Sequence, residues 1–111
     1  MAYSEELAER IRAEIGARDG VRERKMFGGI AWMLHGNMAC GTFRDGLLVR
    51  VHPDDLERSL AEPHVGPMTF TGRTMGGFVV VDADGIEDPA ALARWIDEGA
   101  SCAASLPPKE Q

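Results

Sequence analysis

The sequence predicts an α+β domain, an antiparallel β-sheet with N-terminal, middle and C-terminal helices packed on it. Three observations carry this. Residues 26–34 hold no charge on either alternating row: Met26, Gly28, Ile30, Trp32 and Leu34 on one side, Phe27, Gly29, Ala31 and Met33 on the other. That suits a strand covered on both faces. Further extended stretches follow, each bounded by turn residues. Finally, apolar residues at helical spacing occupy both ends of the chain, where capping residues precede them.

Ser4 with Glu5 and Glu6 opens the first helix, the hydroxyl capping a free N–H and the carboxylates facing the positive end of the dipole. Leu7, Ile11 and Ile15 form its narrow stripe, and Asp19-Gly20 ends it. Residues 21–25 are charged and read either as a short edge strand or as a lead-in. The adjacent Gly28 and Gly29 would weaken an ordinary strand, so they mark a bulge or the close approach of another backbone.

Turns centred on Gly36-Asn37 and Asp45-Gly46 then make residues 26–51 a three-stranded meander. This register sets Trp32 opposite Gly41 and Gly41 opposite Arg50. It gives a core face of Phe27, Gly29, Ala31, Met33, Met38, Cys40, Thr42, Leu47, Val49 and Val51. The other face carries Ile30, Trp32, Leu34, Ala39, Gly41, Phe43, Leu48 and Arg50, with Arg50 reaching across Gly41 onto the Trp32 ring.

His52-Pro53-Asp54-Asp55 opens a short middle helix that Pro63 stops. Residues 63–67 read as a loop, 68–71 as a short strand, 72–74 as a turn and 77–81 as a β-branched strand. Asp88-Pro89 starts the last helix, whose stripe is Leu92, Trp95, Ile96 and Gly99, the glycine admitting a close neighbour. Residues 1–106 are expected to form one domain and 107–111 a frayed tail.

Composition removes several function classes. No apolar run approaches a membrane span, and the N-terminus is acidic where a signal peptide would be basic, so a cytoplasmic protein is expected. The net charge of −6 disfavours direct nucleic-acid binding by this domain alone. Charge is unevenly spread, however. Residues 22–51 carry Arg22, Arg24, Lys25, Arg44 and Arg50 against Glu23 and Asp45, whereas residues 82–98 carry six acids against Arg94.

His35, His52 and His64 have no second ligand at helical or hairpin spacing, so no metal is expected. No serine sits in a nucleophile elbow, which leaves acyl transfer unsupported. Asp54-Asp55 and the group Asp82, Asp84, Glu87 and Asp88 stand at helix starts, where acids serve the cap and the dipole. Gly28-Gly29 and Gly76-Gly77 lack the residues of a phosphate cradle and read as packing devices. Cys40 reads as an inert buried thiol. No catalytic residue and no cofactor is expected. The basic group Arg22, Arg24 and Lys25, with Arg50, reads either as an edge strand blunted by charge or as a docking patch for an acidic partner or a phosphate backbone.

Several separated motifs together resemble one family. They are Arg24-Lys25-Met26-Phe27-Gly28-Gly29-Ile30-Ala31-Trp32, the return at Asn37-Met38, Leu47-Leu48-Val49-Arg50-Val51, residues 72–81 around Gly76-Gly77, and Leu106-Pro107-Pro108-Lys109. They resemble the N-terminal domain of the TfoX/Sxy proteins, regulators of natural competence. The resemblance implies an α+β domain in a bacterial cytosolic protein and brings no catalytic residues. Two-domain members act with a cyclic-AMP receptor protein and carry a further C-terminal domain; this chain ends at Gln111, so a single-domain role is expected. The first expectation is a regulatory interaction module, dimeric or bound to a transcription regulator, whose docking surface, from the reading of charge and register above, includes Arg22, Arg24, Lys25 and the Trp32–Arg50 face. The alternative is a small-ligand binder or unrecognised enzyme with a pocket near the glycine pairs.

Overall fold

A computed structural model describes residues 3–16, 18–26, 28–70 and 73–108. In chain order the elements are α1 (Glu5–Ile15), β1 (Val21–Met26), β2 (Gly29–Leu34), β3 (Asn37–Phe43) and β4 (Gly46–Arg50). A 3-10 turn (Pro53–Asp55) then leads into α2 (Leu56–Leu60), followed by β5 (Val65–Phe70) and β6 (Arg73–Val81). A second 3-10 turn (Ala83–Ile86) precedes α3 (Pro89–Ala104). The strands form one open antiparallel sheet in the order β1-β2-β3-β4-β6-β5, an α+β fold with β1 and β5 at its edges. Expectations placed on Phe27, the side chain of Met26, Thr71, Gly72 and residues 109–111 lie outside the described residues.

The helix ends follow from local chemistry. Ser4 Oγ accepts the Leu7 N–H at 3.1 Å, and α1 buries Leu7, Ala8, Ile11 and Ile15. Asp88 occupies the N-cap position of α3 with Pro89 after it, although the Asp88 side chain makes no cap bond. At Gly99 an added Cβ would stand 2.3 Å from the Ala39 carbonyl oxygen, so α3 lies directly on the β3 backbone.

The strand readings need three corrections. Residues 26–34 are not one strand. Met26 pairs with Gly29, and Gly28 takes the left-handed φ of +74° that only glycine adopts without penalty, so the chain reverses there. Gly29 is the place of close approach, since a Cβ would meet Thr42 Oγ1 at 2.3 Å, and that hydroxyl accepts the Ile30 N–H at 2.9 Å.

The next two turns fall one residue earlier than expected. Leu34 pairs with Asn37 around His35-Gly36 (φ +51° and +85°), and Phe43 pairs with Gly46 around Arg44-Asp45. A bulge between β2 and β3 then absorbs one residue. As a result Trp32 lies opposite Cys40, Ala31 opposite Gly41, and Gly41 opposite Leu48.

Third, residues 65–67 are not a loop but the start of β5. Pro67 is tolerated there because β5 is an edge strand.

These shifts divide the apolar residues differently from the sequence reading. Ile30, Trp32, Leu34, Ala39, Cys40, Leu47, Val49 and Val51 join α1 and α3 in one core. Ala31, Met33, Met38, Leu48, Met68 and Phe78 form a second, to which, among the described residues, only strands contribute. All six of these residues are buried within the chain itself. Buried Asn37 donates from Nδ2 to the Pro107 carbonyl at 2.9 Å.

Candidate interaction site

β1 offers its outer backbone edge unpaired, and Arg22, Arg24 and Lys25 are all exposed on it. They do not form a single patch. Arg22 stands opposite Met33 and Arg24 opposite Ala31, so both belong to the face of the second core. Lys25, opposite Ile30, and Glu23, opposite Trp32, belong to the helix face. Among the described residues none of the three basic side chains has a carboxylate partner.

Glu23 does have one. Arg12 on α1 grips it with Nε to Oε2 at 2.7 Å and Nη2 to Oε1 at 2.9 Å, tying the edge strand to the helix layer. The guanidinium holds the Glu23 carboxyl below its ordinary 4.5; burial opposes this, and the nearby Trp32 indole adds a little. At bonding distance, however, the buried Trp32 Nε1 meets no acceptor. Because the folded-state value lies below the unfolded one, the stabilisation is complete above the unfolded value and fades as pH falls through the folded one. Glu23→Gln is therefore expected to lower the thermal midpoint at about pH 7, the difference from the parent protein shrinking as pH falls through the folded-state value. Parallel melts across that range check it.

Trp32 and Arg50 do not meet. Trp32 is fully buried on the helix side, whereas the Arg50 guanidinium lies over the Phe78 ring at 4.7 Å, a member of the second core. The β3–β4 ladder ends at Cys40–Val49, and Arg50 Nε donates to the Met38 carbonyl just beyond it at 2.5 Å. Burial pushes the Arg50 pKa down.

Arg50 also lines a groove of about 670 Å³ with His52, Leu56, Gly76, Cys102 and Leu106. The glycine pair here is no packing device: a Cβ at Gly76 would meet nothing within 4 Å, and Gly77 (φ +82°) accepts the Val51 N–H at 2.8 Å. The alternative reading of the sequence expected a pocket near the glycine pairs, but not that residues 50–56 and 102–106 would supply its other walls, because three separate segments meet there.

The two thiols are free and differ sharply. Burial pushes Cys40 up to about 12, and half-buried Cys102 is raised by burial while Arg50 opposes the shift. A disulfide-exchange reagent is expected to titrate one thiol in the folded protein and two in denaturant.

His64, Asp82 and Asp84 bring ligand atoms within 4.8 Å of one another, a grouping invisible in the sequence because pairing of β5 with β6 creates it. All three are exposed. Asp82 Oδ1 is already shared between His64 Nδ1 (3.2 Å) and the Gly85 N–H (3.1 Å), which is a cap with an imidazole contact.

A family model of the TfoX N-terminal domain matches residues 14–103. The chain belongs to the TfoX N-terminal domain family. Compared with curated proteins and with solved structures, it has no significant match. The TfoX N-terminal domain match runs from the last two residues of α1 through all six strands to Ala103 near the end of α3, so it spans the edge strand and most of the groove. This is not a known enzyme family. Among the described residues no helix is long and apolar enough to cross a membrane.

Proposed function

We propose that this TfoX N-terminal domain is a non-enzymatic, cytoplasmic regulatory module that works by protein–protein contact, taking an acidic segment of its partner along β1. One observation carries the reading: among the described residues, an unpaired strand edge bears three exposed cations without carboxylate partners, on a chain whose net charge is −6. A free edge accepts an added strand through its backbone, and flanking cations select an acidic one and speed its encounter. The partner in this reading is a transcription regulator, with a second copy of the chain as the alternative.

The test is binding to a purified regulator of the cyclic-AMP receptor class, measured with the parent domain and with the Arg22→Glu, Arg24→Glu, Lys25→Glu variant. All three side chains are exposed, so the fold should survive. Loss of affinity by about tenfold or more at low salt, shrinking as salt is raised, is expected. Unchanged affinity would remove β1 as the docking edge.

A further inference from the structure

We propose that the groove beside Arg50 is a binding site for a small monocarboxylic acid with an apolar body, separate from the β1 edge. Arg50 is half-buried, and its Nε and its ring-facing side are committed to the Met38 carbonyl and to Phe78. Its two Nη groups have no hydrogen-bond partner among the described residues. Nor is a neutralising acid at hand. Asp55 is engaged by Arg58 at 3.2 Å and Glu98 by Ser59 Oγ at 3.3 Å, and no carboxylate is among the described residues that line the groove. A partly desolvated guanidinium without a counter-ion is costly to maintain, and the fork it leaves open matches the two oxygens of a carboxylate.

The surroundings decide the rest of the ligand. Val51, Pro53, Leu56 and Leu106 make the walls apolar, and the empty space at Gly76 leaves the groove unfilled. Its 670 Å³ lies within the size range of small-molecule sites. Arg50 is the only arginine or lysine among the described residues that line it, so the charge present suits a monoanion better than a phosphate dianion, which takes two or more cations.

Cys102 lines the same groove and is the more accessible thiol, so occupancy can be read as protection from alkylation. Octanoate, octanamide and octyl phosphate serve as probes of equal chain length. Octanoate at millimolar concentration is expected to slow Cys102 alkylation severalfold, with octanamide and octyl phosphate at least about tenfold weaker. Arg50→Lys, which keeps the charge but loses the fork and the stacking, should weaken octanoate by about tenfold. Gly76→Leu puts a side chain into the open space without a backbone clash and should abolish protection while the domain stays folded. Equal protection by octanoate and octanamide, stronger protection by octyl phosphate, no protection by any probe, or full octanoate binding by folded Gly76→Leu would each overturn the proposal. None of these outcomes bears on the β1 edge.

Discussion

Gly99→Ala is expected to destabilise the domain by about 1–3 kcal/mol, although helix propensity alone would favour alanine by about 1 kcal/mol. Packing reverses the sign. The new methyl carbon would stand 2.3 Å from the Ala39 carbonyl oxygen and 3.4 Å from a Val49 methyl, and the first of these is backbone that cannot rotate away. α3 would have to lift from β3, opening contacts made by Trp95, Ile96 and Ala103 in the same core. Gly76→Ala is the matched control, with open space at its Cβ, and should change stability by a few tenths of a kcal/mol at most. Urea unfolding of both variants measures the contrast. A Gly99→Ala protein as stable as the parent would mean that α3 does not rest on β3 as described.

Trp32→Ala is expected to cost about 3–5 kcal/mol, a large share of what a domain of this size possesses. The indole is fully buried among Leu34, Ala39, Val49 and the two long helices' apolar stripes, so its loss leaves a cavity rather than a wet surface. Trp32→Phe should cost much less. It removes the indole N–H that has no acceptor at bonding distance, and sparing that penalty offsets part of the lost ring contact. Had Trp32 lain under Arg50 on an outer face, both substitutions would be mild, so thermal denaturation of the pair separates the two arrangements.

Much of this architecture could be read from the chain because it is set locally. Ser4 and Asp88-Pro89 mark helix starts, the stripes of α1 and α3 are buried as their spacing requires, and the turn residues punctuate real strands. What escaped is phase. Gly28 turns the chain where an uncharged run suggested continuity, His35 adopts a left-handed conformation more usual for glycine or asparagine, and the bulge adds a residue that no side-chain pattern announces. Each slip exchanges the two faces of everything downstream in the pairing, which is why Trp32 and Arg50 were placed together and are apart.

The candidate sites divide in the same way. The basic character of β1 is a run in the sequence and was legible; that Lys25 faces away from Arg22 and Arg24 follows only from their partners Ile30, Met33 and Ala31. The groove depends on His52, Gly76 and Cys102 meeting, and nothing in their spacing says they should.

The strand-only core also sets how this domain would age. Three of its six buried members, Met33, Met38 and Met68, are thioethers, and conversion of one to a sulfoxide places a polar oxygen where no donor waits for it. Met33 and Met38 are 7 % and 6 % exposed while Met68 is sealed at 0 %, so peroxide would reach the hairpin end first. Damage there would loosen β3 where Arg50 holds the Met38 carbonyl, whereas the helix-backed core contains, among the described residues, no methionine.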